Sequence, residues 1–140
     1  MYNMNHIEQI THLEQILAII INHNFKENGI HFFTPNEFSQ QLAYMNHPAG
    51  KIIEPHFHNP IERSVVYTQE VLLIKKGILK VNFYDNHQQF LFYRILTQGD
   101  IILLASGGHG FEVIEEIEMV EIKQGPYQGD SDKTRFNPNK

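Results

Sequence analysis

The sequence predicts an all-β domain, and three observations carry that prediction. Between residues 38 and 123 the chain is a series of short apolar runs punctuated by turn residues. Two of those runs, 79–84 and 90–96, flank Asp85-Asn86-His87-Gln88 in the manner of a β-hairpin. The last run, Glu118-Met119-Val120-Glu121-Ile122, alternates polar and apolar side chains as a half-exposed strand does.

Three regions follow one another: a helical extension over 1–37, the β-domain over 38–123, and a loop or tail over 124–140. From about Asn5 to Asn22, Ile7, Ile10, Leu13, Leu17 and Ile20 recur at three- and four-residue spacing, with Glu8 and Glu14 on other faces. That spacing predicts an N-terminal amphipathic helix, which needs a surface to cover, either the β-domain or its own copy in a homodimer. Thr34-Pro35-Asn36-Glu37 combines a capping residue, a proline at the first helical position and a glutamate at the third. It predicts a brief helical turn leading into the β-domain.

Pro55-His56-Phe57-His58 comes next. On a strand, His56 and His58 project to the same side with Phe57 turned away. Glu70 opens the apolar run Val71–Ile74, which ends in Lys75-Lys76-Gly77 and reads as a buried strand with a turn after it. In the hairpin, Val81, Phe83, Phe90 and Phe92 are expected to pack, and His87 sits in the exposed turn. The strand Ile101–Leu104 leads into Ala105-Ser106-Gly107-Gly108, and His109 follows; the two glycines allow close backbone approach at a strand end. Residues 111–114 and 118–122 give two more strands. The tail has two glycines, two prolines and no periodicity, with Tyr127, Asp132, Lys133 and Arg135 within reach of a pocket mouth.

Composition narrows the function. At 140 residues and 41% hydrophobic content, the chain suits one domain with a moderate core. Sixteen acidic residues against eleven basic ones give a net charge of −5, which argues against a broad nucleic-acid surface and for a small partner molecule. Zero cysteines exclude disulfides, thiolate catalysis and cysteine metal ligands. Met1-Tyr2-Asn3-Met4-Asn5 lacks a cationic segment, and the apolar stretch Ile16–Ile21 is too short to span a membrane, so a cytoplasmic location is expected.

His56, His58, Glu70 and His109 are candidate metal ligands. Each alone is ordinary: a His-x-His pair also serves as a polar face or a hydrogen-bonded pair. Brought together, three imidazoles and a carboxylate suit iron, manganese and similar ions that accept mixed nitrogen and oxygen shells. An octahedral ion so held keeps two positions open. A glutamate pointing into a core needs a cation beside it.

The run Gly50-Lys51-Ile52-Ile53-Glu54-Pro55-His56-Phe57-His58, followed by Glu70 and Gly77, resembles the first motif of the cupin superfamily. Gly99-Asp100-Ile101-Ile102-Leu103-Leu104-Ala105-Ser106-Gly107-Gly108-His109 resembles the second, and the likeness spans about residues 40 to 123. It implies a double-stranded β-helix, a small jelly-roll cupin barrel, with a divalent transition metal (iron, manganese, nickel or zinc) held by His56, His58, Glu70 and His109. The chain departs from the pattern in three places. The gap from His58 to Glu70 is long, with Glu62 where a shorter gap would place the carboxylate; Ala105 replaces the usual proline; and His109 arrives one residue early.

Membership would make the chain a metal-dependent enzyme acting on a small polar molecule of the sugar-phosphate or keto-acid type, as an isomerase or epimerase, a lyase or a dioxygenase. Glu54 and Glu62 are candidate acids or bases, and Arg63 a candidate clamp for an anionic group. The alternatives are a non-catalytic sensor that binds a metabolite, and a structural β-domain whose histidines are incidental; fold does not decide among them.

Overall fold

A computed structural model describes residues 6–138. Asn5, where the predicted helix begins, and the last two residues of the tail lie outside the described residues. The fold is all-β, and its main sheet is a strongly curled half-barrel. The strands are β1 (Ile7–His12), β2 (Gln15–Ile21), β3 (Gly29–Phe32), β4 (Ala43–Asn46), β5 (Glu70–Tyr84), β6 (Phe90–Leu96), β7 (Ile101–Leu104) and β8 (Gly108–Lys123). The main sheet runs β1-β2-β7-β5-β6 with β8 on β5, every pair antiparallel, and β3 and β4 form a separate ribbon.

The predicted N-terminal helix is absent from the structure: its residues form the hairpin β1–β2. Leu13 and Glu14 take φ of 49° and 65°, the left-handed pair of a two-residue hairpin turn, and Leu13 is 86% exposed. β2 is buried along Leu17–Ile21, with Ile20 in one core cluster and Ile19 and Ile21 in the other. A strand covered on both faces is apolar at successive positions, and such a run matches a helical stripe as readily as a strand. Isoleucine's branched Cβ favours the strand. Thr34–Glu37 likewise forms a turn in place of a helical one, with the Phe38 N–H donating to the Pro35 carbonyl at 3.1 Å.

β5 organises the molecule. Its first residues, 70–73, pair with β7 on one side, its last, 79–84, pair with β6, and β8 lies along the other edge for nearly its full length. Lys75-Lys76-Gly77, expected to end the strand, is instead a bulged bend within it, with register shifts between Ile74 and Leu79. Gly77 has φ +95°, and a Cβ there would overlap the Glu116 carbonyl oxygen of β8. Fifteen residues laid straight would span roughly 50 Å; the bend wraps them around a core.

That core lies inside the curl, built from Leu72, Ile74, Leu79, Val81, Phe83 and Ile102 with their neighbours. A second cluster, Ile19, Ile21, Phe25, Leu42 and Leu103, seals the β3–β4 ribbon to the outer face of β2 and β7. Two buried polar side chains fix the connections. Gln69 accepts from Gln40 N–H at 3.2 Å, and its own N–H donates to Gln124 Oε1 at 2.8 Å, which anchors the entry to β5. Asp100, 3% exposed, accepts from the backbone N–H of His23 at 2.8 Å and of Thr97 at 2.7 Å and contacts His23 Nδ1 at 2.9 Å. Asp100→Ala leaves those donors without an acceptor, so urea unfolding of the variant should show a loss of about 2 kcal/mol.

Candidate functional site

The strand order places a carboxylate against an imidazole. Glu70 stands opposite Lys123 at one end of the β5–β8 ladder, and His109 opposite Phe83 near the other. Glu70 also pairs with Leu104 of β7, from which three residues lead into β8 at Gly108. The predicted turn glycine Gly107 holds that passage: its φ is +73°, and an added Cβ would lie 2.9 Å from the Tyr84 carbonyl oxygen. The curl of β5 then closes the gap, and Glu70 Oε1 sits 3.0 Å from His109 Nε2 with both side chains mostly buried.

Two further β8 residues complete the cluster. The Glu121 carboxyl shares a hydrogen bond with Glu70, and Lys123 Nζ lies 3.5 Å from Glu121 Oε1. The His109 hydrogen bond, supported by Glu121 and the nearby positive charges, holds the Glu70 carboxyl down at about 2 against the opposing effect of burial. Glu121 is pushed up, first because its hydrogen bond is with a carboxylate. The hydrogen bond between the two carboxyls thus acts in opposite senses, lowering Glu70 and raising Glu121.

The cluster opens into a groove of about 1190 Å³ between β5, β8 and the tail. Further along it, Asn82 Nδ2 donates to Glu112 Oε2 at 2.8 Å and Lys80 Nζ lies 3.5 Å from the same oxygen. Lys80, Asn82 and Tyr84 alternate along β5 and so share a face. The tail folds back along the groove: Asp132, Lys133 and Arg135 line it, and the Phe136 ring packs edge-on to Tyr84 at 5.1 Å. Tyr127 stands away from the groove lining, 5.7 Å from Lys123 Nζ.

Of the four predicted ligands, the structure joins Glu70 to His109 and His56 to His58, but not the two pairs to each other. His56 and His58 lie on the exposed segment 48–68, with their rings 5.3 Å apart and His56 Nδ1 2.8 Å from the Glu54 carbonyl oxygen. Glu54, Glu62 and Arg63 are on the same segment, and none of the five lines the groove. Among the described residues, no group of three or more histidines, aspartates and glutamates is placed to hold a metal ion. As placed, these side chains do not fit the metal that the cupin resemblance implies. The sequence reading missed Glu121, Lys123, Lys80, Asn82 and Glu112. Their only signal was polar side chains on strands, which ordinary solvent-facing positions share.

Among the described residues, no helix is long and apolar enough to cross a membrane. In comparisons with known proteins, no protein-family model, no curated protein and no solved structure matches the chain.

Proposed function

We propose that this chain binds a small polar molecule in the groove between β5 and β8, with the Glu70–His109–Glu121 cluster as its polar anchor. The groove carries this reading. Its volume of about 1190 Å³ slightly exceeds the usual range of small-molecule sites, roughly 300–1,000 Å³, and leaves room for bound water beside the ligand. Lys80, Asn82 and Glu112 offer donors and acceptors along one wall, while Glu70 and Glu121 supply a pair of neighbouring carboxyls at the end. A ligand rich in hydroxyl, carbonyl or phosphate oxygens matches such a surface, as sugar phosphates and keto acids do. This is binding or sensing, without a committed reaction.

A specific observation keeps the enzymatic reading as the second one. Glu70 and His109, far apart in sequence, meet at 3.0 Å, which is half of the ligand set that the cupin resemblance implies. The curled sheet and the turn at Gly99-Asp100 that leads into β7 support the jelly-roll form of that reading. When bound, a divalent metal would supply a Lewis acid for isomerase, lyase or dioxygenase chemistry. The residues as placed supply only Glu70 and His109.

One experiment addresses both. Calorimetric titration of the chain with a panel of sugar phosphates and keto acids, each repeated with iron, manganese, nickel or zinc, should give saturable binding without metal. At about 100 times its dissociation constant, a bound compound should raise stability by about 2.7 kcal/mol. Asn82→Leu should abolish that gain with the fold intact. No saturable binding anywhere in the panel would overturn the binding reading. Turnover of a panel compound with metal loaded, abolished in His56→Ala or Glu70→Ala, would establish the enzymatic one in its place.

A further inference from the structure

Two exposed surfaces need cover, and they complement one another. Residues 48–68 form an extended arm between β4 and β5, exposed at every position. Among the described residues its two hydrogen bonds, from Lys51 N–H to the Pro48 carbonyl and between His56 and the Glu54 carbonyl, stay within it. Yet it carries Ile52 at 79% exposure, Phe57 at 86%, Val66 at 82% and Tyr67 at 79%. Among the described residues the long strand β8 pairs only with β5, which leaves its other edge without a strand partner. Val113 and Ile114 are adjacent and both 56% exposed, and Val120 and Ile122 are exposed further along. Side chains alternate between faces, so exposure at neighbouring positions means that both faces of β8 lack cover.

We infer that two copies of the chain exchange these arms, each arm seating on the free edge and apolar flanks of the partner's β8. Charge selects this pairing over a β8-to-β8 one. β8 carries five glutamates and one lysine, and two such edges would set acidic side chains against each other. The arm balances Glu54 and Glu62 with Lys51 and Arg63 and adds His56 and His58. Its length fits as well: twenty-one exposed residues match the roughly 20–30 that a stable interface takes from each side.

Proline places the added strand within the arm. Pro55 and Pro60 are five residues apart, so on a strand they point to opposite sides. One of them would then face the partner's edge without an N–H, and ladder pairing cannot run through both. The proline-free stretch 61–68, ending Val65-Val66-Tyr67-Thr68, has the branched and aromatic side chains of a strand and runs on toward β5. The preceding half, with Ile52, Ile53 and Phe57, covers β8 without pairing along it.

The absence of cysteine makes the test direct. The full chain should sediment as a dimer. Chains with Val66→Cys, mixed with chains carrying cysteine at Val113, Ile114, Val120 or Ile122, should form disulfide-linked pairs of unlike chains in at least one mixture. Val66→Asp with Tyr67→Asp, at exposed positions whose change leaves the core intact, should raise the dimer dissociation constant at least about tenfold. A monomer at all concentrations overturns the proposal. So does a dimer that the arm variants do not weaken, or a disulfide formed within one chain by Val66→Cys and a β8 cysteine. Groove binding by small molecules is read separately and does not depend on the outcome.

Discussion

Gly77→Ala should cost about 3 kcal/mol of stability, read in urea unfolding, and lower the melting temperature by roughly 10 °C. Two penalties combine. Alanine at φ +95° is held in a region that a Cβ disfavours by about 1–2 kcal/mol. The Cβ would also overlap the Glu116 carbonyl oxygen, a backbone atom that cannot move without opening the β5–β8 ladder. Gly50→Ala is the control. Gly50 has φ +88° but nothing within 4 Å of its would-be Cβ, so only the first penalty applies. Equal losses from the two substitutions would show that close approach of the strands is not what the bend requires. Because that bend brings Glu70 back to His109, Gly77→Ala should also weaken groove binding, whereas Gly50→Ala should not.

The strands of the β-domain were legible where turn chemistry and alternation agreed. Asp85–Gln88 between two aromatic-rich runs specified the β5–β6 hairpin, and Leu79 pairs with Leu96 and Phe83 with Phe92 as the pattern requires. Ile101–Leu104 and the glycine turn after it were equally clear. What failed did so for one reason: local pattern does not show what packs beside a segment, and so not how many faces a strand buries. β2 packs on two clusters, and its unbroken apolar run imitates a helix. Lys75-Lys76-Gly77 looks like a terminator, yet a glycine that ends a strand and one that bends it are the same residue. The bend is visible only once β8 lies beside it. For the same reason residues 111–114 and 118–122, read as two strands, form the single strand β8.

The site was legible in part. Glu70 and His109 were singled out as a carboxylate at a strand start and a histidine after a glycine turn, and the fold brings these two together. His56 and His58 had spacing in their favour. That spacing implies a shared face only if the segment is a strand, and residues 51–66 have no regular structure. Glu121 and Lys123 could not be found by inspection, because their importance comes from lying across the ladder from Leu72 and Glu70. Cross-strand partners depend on register, which strongly shifted pairings such as this one hide from any reading of the sequence.

The Glu70 cluster should govern stability in acid. Its carboxyl ionises at about 2 in the folded chain, against an ordinary 4.5. A group depressed in the folded state stabilises the protein above its unfolded value, and that contribution is lost as pH falls from 4.5 toward 2. For Glu70 alone this amounts to about 3–4 kcal/mol at most. Glu121 acts in the opposite sense. Its raised carboxyl favours the fold below the ordinary carboxylate range and loses that advantage as pH rises through its folded value. Solvent around Glu121 keeps the offset small. Unfolding free energy should therefore fall in acid, and Glu70→Gln should flatten that slope by about 2 kcal/mol while lowering stability at neutral pH. His109→Ala should flatten it too, since the imidazole provides the largest part of the depression. If the two variants keep the full slope of the parent chain, the ionised carboxylate and its imidazole are not what holds the ends of β5 and β8 together, and the groove loses its polar anchor.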